Sequence, residues 1–229
     1  MSPAAGFFDA IKTGDYSRVE ALLEVDPDLA SAKDEAGLSA VLTSVYRGQR
    51  EIRDLLILHG AQLEIHDAAA TGSIDRVKEL VEKNPALANS FSPDGFPVVA
   101  LASVFGHLDV AAYLAEKGAD VNAAATNGTG YNALTGAVTG GHTEIVKWLL
   151  ENGANVNYRY GPGYTPLLAA AANGHREIVK QLIAHGADVH ARSNDGKTAL
   201  KIAEERNHPH VETYLASVVA RVTAAPTHT

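Results

Sequence analysis

The sequence contains no cysteine, which excludes a disulfide framework and a thiolate site. It also lacks long hydrophobic runs, because the longest mostly apolar stretch, around residues 97–108, has only about a dozen residues and is too short to span a membrane. The N-terminal stretch MSPAAGFFDAIKTGDYSRVE has no basic start and no apolar core, so we expect no signal peptide. With neither a membrane span nor a signal peptide expected, we expect a cytoplasmic protein.

Positive charge is scarce. The chain carries 19 Lys and Arg against 27 Asp and Glu, a formal net charge of -8. An acid excess of this kind works against nucleic acid and anionic membrane as partners.

Internal repetition is the main feature that the sequence does have. Three segments, starting at Gly95, Gly130 and Gly163, are near-copies of one another, and the last reads GYTPLLAAAANGHREIVKQLIAHGADVHA. One glycine recurs at positions 14, 48, 72, 106, 141 and 174, with Asn207 in the same place, at intervals of 34, 24, 34, 35, 33 and 33 residues. Such a period is typical of a stacked repeat architecture.

The segment from Gly163 shows what one repeat does physically. Thr165 and Pro166 are a helix start, since the hydroxyl can cap free N–H groups and proline fits the first turn. Gly174 can adopt the left-handed conformation that ends this short helix. A second helix follows from His175, with apolar residues spaced along one face, and a polar turn follows Gly186. Each unit is therefore a helical hairpin with a projecting turn, and it can bury its apolar face only by stacking.

These motifs resemble those of ankyrin repeat proteins. The resemblance is carried by TPLLAA at 165–170, by the Gly-His pairs at 106–107, 141–142 and 174–175, and by GAD or GAN at 118, 153 and 186. It implies an all-α ankyrin-repeat solenoid, built of helix-turn-helix units with projecting β-hairpin turns, here called fingers. It further implies the bacterial type of the family, with about seven repeats including caps.

Two departures from the family pattern stand out. The histidine of the family's T-P-L-H motif is replaced at every unit that carries the motif, by Leu42, Ala100, Thr135, Leu168 and Lys201. The interval of 24 residues between Gly48 and Gly72 leaves no room for a finger. We therefore expect one finger to be missing between the second and third units.

The repeat limits predict a single domain over residues 6–222. Its units are expected at about 6–33, 34–62, 63–91, 92–126, 127–159, 160–192 and 193–222, the first and last acting as caps. Residues 1–5 and 223–229 are expected to be flexible tails.

Ten histidines raise the question of metal or acid–base chemistry. Those at 107, 142, 175 and 208 share one repeat position, which indicates a framework role. His66 lies at the junction without a finger, roughly where the family's turn histidine would fall, and a hydrogen-bonded structural role is the simplest interpretation. Nucleotide-binding and hydrolase motifs are missing from the sequence. We therefore expect no enzyme activity, no catalytic residue, no metal and no cofactor.

The aromatic residues point to a binding surface. Phe96, Tyr131 and Tyr164 share the position after the turn glycine, where stacked units would align them as a ladder. Exposed aromatics and arginines are typical of interface hot spots. The candidate partner-binding residues are Tyr46, Arg47, Phe96, Phe105, Tyr131, Arg159, Tyr160 and Tyr164. By contrast, Trp148 is expected in the core.

Three functions follow as hypotheses. The leading one is a scaffold, expected to be monomeric, that binds an unidentified protein partner through its concave face and finger tips. The alternative is a small-ligand carrier or enzyme with a site near His66, Asp67 and Tyr46. The third is a purely structural role, in which the rings pack on adjacent fingers and stiffen the stack.

Overall fold

The computed structural model describes residues 3–224, with side chains from residue 6 to residue 223. This range contains fourteen α-helices in seven consecutive pairs, two short 3-10 turns at Pro27–Ser31 and Pro85–Asn89, and no strand. The first members of the pairs are α1 (Pro3–Thr13), α3 (Ala40–Tyr46), α5 (Ile65–Thr71), α7 (Val98–Val104), α9 (Ala133–Gly140), α11 (Pro166–Ala172) and α13 (Ala199–Glu205). The second members are α2 (Tyr16–Val25), α4 (Arg50–Leu58), α6 (Ile74–Lys83), α8 (Leu108–Glu116), α10 (Thr143–Glu151), α12 (Arg176–Ala184) and α14 (Pro209–Ala224). The predicted all-α class is confirmed.

The helices form two compact units. The first comprises residues up to 102 together with 109–119, and the second comprises 103–108 together with residues from 120 onward. In the first unit, α1 to α4 enclose a core that includes Phe7, Ile11, Leu23, Ile52 and Leu56. In the second, α9 packs on α11 and α11 on α13, so each first helix contacts the first helix of the next pair. The predicted limits of a single domain over 6–222 stay a prediction.

Side-chain caps start the first helices. Thr165 accepts a hydrogen bond from the backbone N–H of Leu168 at 3.4 Å, as the Thr-Pro start predicts. Asn132 accepts one from the N–H of Thr135 at 3.0 Å, and the Thr135 hydroxyl accepts one in return from the N–H of Asn132 at 2.8 Å. Thr135 stands where the family has its histidine, so part of that residue's hydrogen bonding is replaced here by a hydroxyl.

The glycines that end the first helices have the backbone conformation that the sequence predicts. Gly141 and Gly174 have φ angles of 75° and 73°, in the left-handed region that glycine occupies without strain. Asn207, which takes this place in the last pair, has a φ angle of 59°. The repeat period is therefore set by one recurring backbone requirement.

The fingers are turns closed by single residue pairs. Antiparallel bridges join Lys33 to Ser39, Phe91 to Pro97 and Tyr160 to Tyr164, and the β-hairpins expected from the resemblance are present in this reduced form. Between α4 and α5, six residues (59–64) connect the helices directly, without such a bridge. The prediction of a missing finger between the second and third units is confirmed.

Asparagines connect the loops that follow the second helices. In the second unit, the Asn122 amide donates to the carbonyl oxygen of Gly153 at 3.0 Å, and the Asn157 amide donates to that of Gly186 at 3.1 Å. The Oδ1 atom of each asparagine also accepts a hydrogen bond from a backbone N–H of the same neighbouring loop. These bonds hold each loop to the next one along the chain.

Two expectations about the periphery need comment. Trp148 is half-buried rather than part of the core, because Ile145 and Leu149 occupy the buried face of α10. Helices α1 and α14 take in residues 3–5 and 223–224 of the predicted tails. The other tail residues lie outside the described range.

Candidate functional site

In the first unit, Tyr46 and Phe96 form an aromatic pair. Tyr46 ends α3 and Phe96 lies in the finger at 91–97, with ring centroids 6.4 Å apart in an edge-to-face arrangement. The Tyr46 hydroxyl donates to Asp94 Oδ1 at 3.2 Å. Burial, and then the Asp94 carboxylate, raise the pKa of the Tyr46 phenol, so it stays a hydrogen-bond donor. The end of α3 is thus attached to the finger of a later pair.

Two other predicted residues lie at the ends of first helices. Arg47 caps α3, and its side chain is exposed. Phe105 follows α7 directly, belongs to the second unit and is half-buried.

In the second unit, tyrosines cluster at two neighbouring fingers. The Tyr131 and Tyr160 rings are 5.1 Å apart and tilted, and the Tyr158 and Tyr160 rings are stacked at 6.4 Å. Tyr160 also exchanges two backbone hydrogen bonds with Tyr164, each of 3.0 Å. Tyr131, Tyr158 and Tyr164 are half-buried. Tyr160 therefore holds the two fingers together.

The exposure assumed for Tyr160 is not observed. Its side chain is 8% exposed, and burial, followed by the neighbouring Tyr131 and Tyr164, raises the pKa of its phenol. The reason is that its ring lies between those of Tyr131 and Tyr158. Tyr158 was not among the predicted site residues, although the alternation Tyr158-Arg159-Tyr160 is visible in the sequence and places the two tyrosines on one side of the chain.

Glycine allows these fingers to approach closely. A side chain at Gly130, which has a φ of 70°, would start 3.4 Å from both the Tyr158 hydroxyl and Tyr160 Cβ. At Gly163, with a φ of 78°, it would collide with the Asn194 side chain of the next finger. The glycine-rich turns therefore serve finger packing.

Arg159 connects one finger to the next. Its exposed side chain donates from Nη2 to the carbonyl oxygen of Arg192 at 2.9 Å, and Arg192 Nη1 donates to that of Gly196 at 2.7 Å. Both guanidinium groups are oriented by backbone carbonyls and still face solvent.

Three of the four recurring histidines, His142, His175 and His208, make the framework hydrogen bonds that the sequence predicts. Within the second unit, His142 Nε2 donates to the carbonyl oxygen of Val104 at 2.9 Å, and His208 Nε2 donates to that of Ala172 at 3.0 Å. His175 bonds in the same way to the backbone of Thr139. Each histidine thus attaches its second helix to the end of the preceding first helix.

At the junction without a finger, Asp67 rather than His66 occupies the place of the family's turn histidine. Asp67 lies three residues after Glu64, which caps α5. Its carboxylate accepts a hydrogen bond from the backbone N–H of Glu64 at 2.9 Å and another from the Ser39 hydroxyl. Asp67 is 3% exposed, and burial raises the pKa of its carboxyl. The rough alignment from sequence was off by one residue, because Gly72 follows the capping residue Glu64 by eight positions, whereas Gly174 follows Thr165 by nine.

His66 lies beside a very small cleft. Its Nε2 is 3.2 Å from the Ser90 hydroxyl, and that hydroxyl donates to the carbonyl oxygen of Leu87. Burial lowers the pKa of His66. The cleft, lined by Lys33, Ser39, Leu42, Glu64, His66, Asp67 and others, holds about 10 Å³, the space of roughly one water molecule.

No group of three His, Asp or Glu side chains between residues 6 and 223 is arranged to hold a metal ion. None of the fourteen helices has the length and hydropathy needed to cross a membrane.

Comparison with known proteins agrees with the repeat geometry. A model of three ankyrin repeats matches residues 65–160, and a model of many ankyrin repeats matches residues 149–203. The chain is 34% identical to alpha-latrocrustotoxin-Lt1a of Latrodectus tredecimguttatus over 113 residues, and 30% identical to the DNA-binding protein RFXANK of Homo sapiens over 97 residues. These alignments cover 46% and 42% of this chain, but only 8% and 37% of the two relatives. The chain belongs to the ankyrin repeat family, whose repeats are protein–protein interaction modules.

Proposed function

We propose that this protein binds a protein partner through its fingers and the adjacent ends of its first helices. In the first unit the proposed binding residues are Tyr46, Arg47 and Phe96. In the second unit they are Phe105, Tyr131, Arg159 and Tyr164, with Tyr160 as the support beneath Tyr131.

The observation that carries this proposal is that two partly exposed tyrosines are held in place by a buried one. Tyr131 rests on the buried Tyr160, and the backbone of Tyr164 is paired with that of Tyr160. Tyr131 and Tyr164 both follow the turn glycine directly. Other units have Leu38 and Lys197 at this repeat position, so the repeat itself does not require an aromatic residue there. Rigid aromatic side chains beside an arginine are the composition of interface hot spots.

The other hypotheses have less support. The cleft at His66 is too small for an organic ligand, since ligand pockets typically hold about 300–1,000 Å³. We therefore propose neither an enzyme nor a small-ligand carrier. The purely structural hypothesis, in which the rings only pack on adjacent fingers, fits the buried Tyr160. It fits Tyr131 and Tyr164 less well, because both retain exposed surface.

We propose a monomeric, cytoplasmic protein that does not bind nucleic acid. One relative is named as DNA-binding, but the acid excess of this chain opposes contact with phosphates. The bacterial type suggested by the resemblance is likewise a proposal.

The test is affinity capture from a lysate of the source cells with three proteins: the wild type, Tyr131→Ala/Tyr164→Ala, and Leu38→Ala as a control at the same repeat position. We expect the wild type and Leu38→Ala to retain the same partner, and the double variant to lose it. Equal capture by all three proteins would refute a finger-side binding surface.

A further inference from the structure

Two large apolar side chains project into solvent from neighbouring helices of the first unit. Val25 ends α2 and is 84% exposed, and Leu58 ends α4 and is 81% exposed. Ile57, next to Leu58, is 38% exposed. Helix α2 packs against α4, and the axes of packed helices are roughly 8–10 Å apart. We call Val25, Ile57 and Leu58 the α2/α4 patch.

The other repeats show that the patch is not required by the fold. Ten residues after the recurring glycine, Leu58 stands where four other units have glutamate, namely Glu24, Glu82, Glu116 and Glu151. Eleven residues after it, Val25 stands where other units have His59, Lys83, Lys117, Asn152 and His185. The two positions are polar in most other units, with Ala184 as the exception at the first and the buried Val218 as the exception at the second, so exposed apolar residues in adjacent pairs indicate an interaction surface.

The surroundings of the patch are acidic. On α2 and up to the end of the following 3-10 turn the exposed carboxylates are Glu20, Glu24, Asp26 and Asp28, and on α4 they are Glu51 and Asp54. The basic groups on these elements are Arg18, Arg50 and Arg53, and Arg53 pairs with Asp54 at 2.7 Å. His59 follows Leu58. The rim thus retains an excess of negative charge.

We propose that the α2/α4 patch docks a basic amphipathic helix of a partner protein. Leucine-like side chains of that helix would cover Val25, Ile57 and Leu58, and its lysines or arginines would face the acidic rim. A second copy of this chain fits poorly, because two acidic rims would then oppose each other. This proposal is independent of the finger surfaces.

The probe is a dye-labelled synthetic peptide of about 15 residues of leucine and lysine, with its leucines on one helical face. A second peptide of the same composition has the leucines spread around the helix. We expect fluorescence anisotropy to show at least tenfold tighter binding of the first peptide. Raising the salt from about 50 to 300 mM should weaken that binding several-fold.

Three protein variants locate the site. Val25→Asn/Leu58→Gln removes the apolar surface without changing charge and should weaken peptide binding at least tenfold. Glu24→Gln/Asp28→Asn should weaken it several-fold and reduce its salt dependence. Val222→Gln, at an apolar residue that is 49% exposed on α14, should bind like the wild type.

Several results would overturn the proposal. One is equal binding of both peptides, and another is wild-type binding by Val25→Asn/Leu58→Gln. Sedimentation showing a wild-type dimer that this variant dissolves would assign the patch to a second copy instead. Loss of peptide binding in Tyr131→Ala/Tyr164→Ala would move the peptide site to the fingers. If Tyr131→Ala/Tyr164→Ala still binds the peptide, the α2/α4 patch proposal holds, whatever the affinity capture shows for the finger surface.

Discussion

The ring of His142 lies over Gly106, with its Nε2 bonded at 2.9 Å to the carbonyl oxygen of Val104. A Cβ added at Gly106 would be 2.7 Å from His142 Cε1, closer than side chains approach in folded proteins. Gly174 and His208 have the same relationship, with a separation of 2.7 Å to Nδ1. The glycine and the histidine that interact therefore come from neighbouring units, because the glycine of one unit leaves space for the histidine ring of the next.

We predict that His142→Ala lowers the free energy of unfolding by about 1–3 kcal/mol, because it leaves the half-buried Val104 carbonyl without a partner. Urea denaturation measures the change. His190→Ala, at an exposed histidine, is the control and should stay within about 0.5 kcal/mol of the wild type. An equal effect of both substitutions would contradict the structural role of His142.

Gly106→Ala should also destabilise, since it combines the collision with His142 and a φ of 90°. In the His142→Ala background the collision is gone and only the backbone strain is left. The cost of Gly106→Ala should therefore be smaller there, which a double-mutant cycle measures. Additive costs would show that the ring is not the obstacle.

Stability should fall as the pH is lowered below neutral. Withdrawal from water lowers the pKa of both His66 and His175, so protons bind the unfolded chain more readily than the folded one. Their contribution is complete above the unfolded value of about 6.5 and is lost as the pH falls below it. We expect a lower urea midpoint at about pH 5.5 than at about pH 7.5. His66→Gln/His175→Gln should show a shallower decline, and an unchanged slope would contradict the assignment.

Removal of the finger rings should affect binding more than stability. In Tyr131→Ala/Tyr164→Ala the substitution at Tyr131 removes a packing contact, because the Tyr131 ring packs on Tyr160 at 5.1 Å. We therefore expect a loss of about 0.5–1.5 kcal/mol of stability from the ring contact, beside a loss of about 2 kcal/mol or more in partner affinity. Thermal unfolding and titration with the captured partner measure the two effects. Normal affinity in a strongly destabilised variant would make the ring cluster purely structural.

Asp67→Ala should open the junction between the second and third pairs. It leaves the Ser39 hydroxyl and the Glu64 N–H without their acceptor, at a cost of about 1–3 kcal/mol. Amide hydrogen exchange should accelerate first in residues 59–72. Asp67→Asn keeps an acceptor oxygen and should be milder. Equal exchange in both variants would argue against a capping role.

The repeat pattern could be predicted from the sequence because its signals are local. Gly141 and Gly174 are needed for a left-handed backbone, and Thr165 is needed as a cap, whatever surrounds them. The missing finger was predictable for the same reason, since a 24-residue interval leaves only six residues between α4 and α5.

What each side chain contacts was decided by the tertiary structure. Tyr160 is buried because Tyr131 comes from a different finger to cover it, and sequence position alone does not show this. The role expected near His66 belongs to Asp67, because the capping geometry of α5 sets the register there. Conversely, Val25 and Leu58 are apolar residues, and the fold leaves them 84% and 81% exposed. Backbone conformation depends on neighbours in the chain, whereas burial depends on neighbours in space, and that difference separates what the sequence determined from what the fold decided.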